Sequence, residues 1–204
     1  MKTNKLILPL AFAAVLFSGC TKDDDYEVHG LTPMIFAEDF SEGAVDNTVL
    51  DTPNWINYAE AGTMLWKEQV YSGDAYAEFS SYNPSAPEPV NIGWLISPAI
   101  NMDEHEGEKL QFRSSQSYVS SAANSLEVLV STDFDGTNVL GATWEPLDVT
   151  LPTPSSTYFE YVKSGIVDLS GYTGNIRIAF RVKGSGTNSQ LDGGYQIDTV
   201  RITY

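Results

Sequence analysis

The sequence predicts an all-β chain folded as a single-domain jelly-roll β-sandwich. Beyond residue 33 no stretch sustains a helical repeat. Short runs that alternate or are wholly apolar are broken by Gly, Pro, Asn and Asp, the pattern of sandwich and barrel strands. The length left after the N-terminal segments, roughly 170 residues, suits one large β domain. The chain has one cysteine and 12% aromatic residues, so packing rather than a disulfide framework must hold the fold.

The N-terminus reads as residues 1–19, an export signal, followed by residues 20–32, a tether. Lys2 and Lys5 form a basic start, and Leu6 to Phe17 is an apolar run of twelve residues. A bilayer span needs about 20 residues, so this run fits the apolar part of a secretory signal instead. Small residues then precede Cys20, as in the lipobox that lipoprotein signal peptidase cleaves, although Phe17 stands where Leu is usual. Cys20 is expected to carry the lipid. An ordinary signal peptide would leave a sole cysteine directly after Ser18-Gly19 unexplained.

Cys20-Thr21-Lys22-Asp23-Asp24-Asp25 resembles the lipoprotein export signal of the Bacteroidota, which implies the outer face of the outer membrane. The same acidic run would also serve as a solvated tether. Loss of residues 1–19 leaves nine basic against 27 acidic residues, a balance of −18. Such a surface repels nucleic acid and anionic headgroups, which excludes nucleic-acid binding as a function.

The strands follow in order. The first is Met34 to Phe40, then Trp55 to Tyr58, Met64 to Tyr71 and Ala75 to Tyr82. A Pro-rich loop from Asn83 to Pro89 leads to Ile92-Gly93-Trp94-Leu95-Ile96, apolar on both faces and hence a central strand. The acidic segment from Asn101 to Lys109 reads as a loop, and Leu110 to Val119 and Ser125 to Ser131 as strands. Asp133-Phe134-Asp135-Gly136 is read as a turn; it opens like a calcium loop but lacks the later acidic ligand. Residues 139 to 149 carry Trp144, and Thr157 to Val162 alternates again. Ile176 to Lys183 is the cleanest strand, with Arg177, Arg181 and Lys183 opposite its apolar residues. A Gly/Ser/Asn loop then leads to the last strand, Tyr195 to Tyr204, for about ten or eleven strands in all.

Several of these stretches occur together in a known family. They are Tyr58-Ala59-Glu60-Ala61-Gly62-Thr63, Leu65-Trp66, Tyr76 to Ser80 and Trp94-Leu95-Ile96-Ser97-Pro98-Ala99-Ile100. Val130 to Gly136, Ala142-Thr143-Trp144, Ser164 to Ser170 and Ile197-Asp198 follow. In this order and spacing, residues 33–204 resemble the choice-of-anchor J domains of Bacteroidota surface lipoproteins, relatives of the gingipain cleaved-adhesin domains. The resemblance implies a galactose-binding or concanavalin-like jelly roll used for adhesion or binding. It also implies frequent calcium and no catalysis, and it names no ligand.

Two carboxylates stand out. Period two places Glu38 with Met34, Phe36 and Phe40, and Asp198 with Val200, Ile202 and Tyr204. A carboxylate on an apolar face must be compensated. If the terminal strands lie side by side, Glu38 and Asp198 could share a calcium ion, with Asp39 a further ligand. Alternatively each caps backbone N–H groups, pairs with an arginine or sits at an exposed strand end.

The four tryptophans, with Tyr58, Tyr71, Tyr76 and Tyr82, could form a sugar-stacking platform. Trp94 and Trp66 read as core, which leaves Trp55, beside Asn54 and Asn57, and Tyr58 as the candidate ligand-binding aromatics. For catalysis, a lipidated Cys20 is no nucleophile. His29 and His105 lie in the tether and an acidic loop, and no compact Glu-x-Asp-x-x-Glu run is present. The reading is therefore a non-catalytic surface module for glycan or for host or matrix protein. The alternative is an accessory subunit of a surface complex.

Overall fold

The computed structural model describes residues 32–204, which form one compact unit. Cys20, the export signal and the tether as far as Leu31 lie outside the described residues. Among the described residues fourteen strands occur in chain order. The first seven are β1 (Met34–Glu38), β2 (Thr48–Val49), β3 (Ile56–Ala61), β4 (Lys67–Tyr71), β5 (Asp74–Ser80), β6 (Asn91–Ile96) and β7 (Ile100–Asn101). The rest are β8 (Lys109–Ser117), β9 (Ser125–Ser131), β10 (Glu145–Pro146), β11 (Val162–Lys163), β12 (Val167–Asp168), β13 (Asn175–Gly184) and β14 (Gly194–Thr203).

They build two antiparallel sheets, the sandwich expected from the sequence. The front sheet runs β11-β8-β14-β5-β4-β2, with β1 also paired to β14 and β12 to β8. The back sheet runs β10-β9-β13-β6-β3, with β7 paired to β13. The terminal strands do lie side by side, Glu38 opposite Val200.

Between the sheets lies the main core, which includes Phe40, Trp66, Phe79, Leu95, Phe112, Phe180 and Ile197. A second cluster covers the outer surface of the back sheet. There Ile92, Trp94, Ile96, Leu129 and Phe134 pack beneath a 3₁₀ turn, Val139–Gly141, and Trp144. Two apolar layers explain why β6 is apolar on both faces. The Asp133-Phe134-Asp135-Gly136 stretch that leads into this cover is a turn. Asp135 Oδ1 accepts from the Thr137 and Asn138 N–H groups, and Asp133 Oδ1 from the Thr143 N–H at 2.8 Å.

Across the back sheet's outer surface a polar row crosses four strands. Arg181 donates to Glu60 Oε2 at 3.0 Å, Glu60 Oε1 at 3.1 Å and Glu127 Oε2 at 2.6 Å, and lies 5.3 Å from the Trp94 ring centroid. Trp94 Nε1–H also donates to Glu60 Oε2 at 2.8 Å. Burial pushes the Glu60 carboxyl up, but the hydrogen bonds from Arg181 and Trp94 outweigh it and hold it below its ordinary value.

Two sequence readings give way here. Thr157 to Val162 alternates but forms no strand until Val162. Phe159 takes a left-handed backbone (φ 62°), which breaks the extended path, and only Val162–Lys163 joins β8. The expected loop from Asn101 to Lys109 contributes Asn101 to β7 and Lys109 to β8.

Gly93 is required by a close approach: a Cβ there would overlap the Phe79 ring of the facing sheet. Gly93→Ala should therefore lower stability by about 1–3 kcal/mol, seen as a lower urea midpoint with an unchanged slope. Because the Glu60 carboxyl is held below its unfolded value, its contribution is present above that value and lost as pH falls through the folded one. Glu60→Gln should flatten the fall in thermal midpoint between about pH 5 and pH 3.

Candidate functional site

Among the described residues no apolar layer like that of the back sheet covers the outer surface of the front sheet, and the two largest cavities described lie there. On β5, period two sends Ala75, Ala77 and Phe79 into the core and Asp74, Tyr76, Glu78 and Ser80 outward. On β8 the outward set is Gln111, Arg113, Ser115 and Ser117, opposite Leu110 and Phe112 in the core. On β14, Gln196 and Asp198 join this outer set through a bulge. Asp198 pairs with Arg113 but Arg201 with Gln111, so β14 carries one extra residue, and Thr199 is left-handed (φ 54°). The bulge lets Tyr195, Ile197, Val200 and Ile202 all face the core.

A hydrogen-bonded floor results. Ser115 Oγ donates to Gln196 Oε1 at 2.7 Å, and Gln196 Nε2 donates to Glu78 Oε2 at 2.8 Å. Gln69 Nε2 donates to Glu78 Oε1 at 3.1 Å, so four strands contribute side chains to one chain of bonds. Aromatic rings stand around it. Tyr71, Tyr82, Tyr118 and Phe159 are 74, 63, 64 and 53% exposed, far more than rings kept for packing. Together with Tyr76, Tyr158 and Tyr161 they line two cavities of about 660 and 490 Å³. The hydroxyls of Tyr76 and Tyr161, protonated at neutral pH as any tyrosine is and raised further by burial, are able to donate.

The loops bearing the exposed rings are fixed. Tyr118 (φ 58°) and Phe159 (φ 62°) both hold left-handed backbones, a strained state for bulky residues that costs on the order of 1–3 kcal/mol each. Gln116 holds the two loops together. Its carbonyl accepts the Phe159 N–H at 2.8 Å, its Nε2 donates to the Ser156 carbonyl at 2.6 Å and its Oε1 accepts the Val119 N–H at 3.0 Å. The Tyr118 ring centroid lies 4.9 Å from that of Tyr158 and 6.5 Å from that of Phe159.

Of the aromatics weighed from the sequence, Tyr71, Tyr76 and Tyr82 line these cavities, whereas the two favoured there, Trp55 and Tyr58, lie elsewhere. Trp55 is only 9% exposed, wedged between Phe36 and Phe40 with its Nε1–H on Glu38 Oε2. It cannot stack on a ligand. Tyr58 is half-buried against the second cluster, on the sheet remote from the cavities. The face was legible only in part: Tyr71 and Tyr76 sit on the polar sides of their strands, and an aromatic among outward polar residues is the signal.

The three carboxylates expected to share calcium do not form one site. Glu38 Oε1 accepts from the Phe40 N–H at 2.7 Å and Oε2 from Trp55, so it caps donors on the core side. Asp39 Oδ1 accepts from the Ser41 N–H at 3.1 Å and the Ser41 Oγ–H. The β14 bulge turns Asp198 away from Val200 and Ile202, so the sequence parity that aligned them fails. Asp198 instead meets the Arg113 guanidinium, with Nε donating at 2.6 Å, and the Thr199 hydroxyl at 3.0 Å. A donor set already holding a guanidinium does not fit a divalent cation. Among the described residues no three His, Cys, Asp or Glu side chains are grouped to hold a metal ion.

Arg113 also reaches Asp74 at 3.0 Å and lies 4.5 Å from the Tyr161 ring centroid. Burial works against both charges of the pair. For Arg113 the contacts with Asp198 and Asp74 outweigh it, whereas for Asp198 burial prevails and the carboxyl sits above its ordinary value.

Solved structures share this architecture. The K2 cleaved adhesin domain of Lys-gingipain superposes with a TM-score of 0.53 at 16% identity, over 83% of this chain and 99% of that one. The K1 domain from Porphyromonas gingivalis W83 gives 0.51 at 17%, over 82% and 96%. The K3 domain from the same organism gives 0.50 at 19%, over 84% and 99%. No protein-family model and no curated protein matches the chain. The similarity is one of fold, an antiparallel two-sheet β-sandwich.

Arg113→Ala should destabilise by roughly 3 kcal/mol, because it strands the buried Asp198. Asp198→Asn should cost about 1 kcal/mol, since Arg113 keeps Asp74 and solvent. EDTA should leave the thermal midpoint of the unsubstituted protein unchanged; a fall that Glu38→Gln or Asp198→Asn removes would restore a metal to these carboxylates.

Proposed function

We propose that this chain is a non-catalytic glycan-binding module and that the tyrosine-lined outer face of the front sheet is its binding surface. The observation that carries the reading is the combination on one face of exposed rings, a fixed polar floor and two adjoining cavities. Sugar rings present apolar C–H faces edged by hydroxyls. An aromatic ring beside amide and carboxylate groups complements both at once.

The alternative of an accessory subunit would be served by a broad apolar patch. The exposed apolar side chains outside this face lie apart in space: Leu140 on the 3₁₀ turn over the back sheet, Val45 beside β2 at one end of the front sheet and Ile166 beside β11 and β12 at the other. The adhesin designation of the gingipain domains agrees with a binding role, and the likeness itself rests on fold.

The lipobox and the Lys22-Asp23-Asp24-Asp25 run support display on the outer face of the outer membrane, through a lipid on Cys20. Stable anchoring takes more than one acyl chain, because a single chain binds only marginally.

The test is a glycan and matrix-protein array probed with residues 21–204. Glycan binding is expected. Tyr71→Ala and Tyr82→Ala should each weaken it by about tenfold, equivalent to about 1.4 kcal/mol, with unchanged thermal midpoints. Binding to matrix protein alone, or glycan binding indifferent to both substitutions, would sink the reading.

A further inference from the structure

We infer that the ligand is an uncharged sugar chain long enough to lie in both cavities at once, across a ridge formed by Phe159. This rests on the glycan reading above and narrows it to a charge class and a minimum length.

The first argument is geometric. Phe159 lines both cavities, so the two are adjoining compartments of one trough rather than separate sites. The larger lies toward Tyr82, Tyr118 and Asp192, and the smaller toward Tyr71, Asp74 and Tyr161. Each compartment alone falls within the usual range for a small-molecule pocket, about 300–1,000 Å³. A single sugar would leave one of them to water. A chain crossing the ridge would place a ring on Phe159 and fill both.

The second argument is rigidity. A ridge that separates subsites must keep its place without ligand. Phe159 is held in a left-handed backbone and bound through its N–H to Gln116, whose side chain also ties down the neighbouring Tyr118 loop. The ring is therefore presented before any ligand arrives, and little ordering remains to oppose binding.

The third argument is charge. Glu78 and Asp192 line the first compartment and Asp74 the second, and among the described residues no Lys, Arg or His lines either. Arg113, which touches Asp74 and Tyr161 of the second, pairs with Asp74 and Asp198. A uronate or sulfated chain would meet carboxylates without a free cation, whereas hydroxyls can donate to those same oxygens.

The experiment is calorimetry of residues 21–204 with ladders of increasing length. Three are neutral (cello-, malto- and manno-oligosaccharides) and one is acidic (oligogalacturonides). For at least one neutral series, affinity should rise by about tenfold or more from the disaccharide to the longest member, with no binding of the galacturonides. Phe159→Gly removes the ring while suiting the left-handed backbone, and should abolish the gain with length while sparing the weak binding of short members. A neutral series that binds without gain on lengthening overturns the inference and leaves the glycan reading standing. So do galacturonides that bind as tightly, or a length gain that survives Phe159→Gly. No saccharide binding at all overturns both.

Discussion

The front sheet depends on one departure from strict alternation, the extra residue at Thr199 in β14. In an unbroken strand, Tyr195 and Ile197 would face away from Val200 and Ile202, and one pair would be stranded in water. The bulge resets the parity, so both pairs enter the core. It also fixes what remains outside. Gln196 becomes the centre of the polar floor and Asp198 the partner of Arg113. Core and surface of this strand are thus set by a single left-handed residue, and neither could be altered without the other.

The two outer surfaces of the sandwich have opposite treatments. The back sheet is closed by an apolar layer and a bidentate arginine row, so its surface is spent on stability. The front sheet is left open, with rings on strained backbones that a stability-only argument does not explain. Strain persists where surrounding structure enforces it, and here Gln116 does so from a fully buried position. Such asymmetry directs attention to one face without reference to any relative.

Much of the architecture could be read from local pattern. Ile176 to Lys183 and Ile92 to Ile96 are strands because their periodicities leave little choice, and Asp133 to Gly136 is a turn because its side chains satisfy its own backbone. Glu38 was recognisable as a carboxylate needing compensation, although its partners were not. The site resisted reading because its rings come from four separate stretches, and only the folded structure brings Tyr71, Tyr82, Tyr118, Phe159 and Tyr161 together. Period two also carries no memory across a bulge, which is why Asp198 was placed on the wrong face. Thr157 to Val162 looked like a strand for the same reason: alternation cannot report that Phe159 will be forced left-handed by its tie to Gln116.

The margins of the sheets bear on behaviour at high density. At the ends of the two strand orders, β2, β10 and β11 are two residues long and β3 is irregular between Ala59 and Ala61; β1, paired on one side with β14, shifts register between Met34 and Phe36. An exposed edge recruits another chain only if it offers a straight row of unpaired backbone groups. None of the described margins does. Along them, copies crowded side by side would meet only short or irregular rows, a poor template for strand exchange.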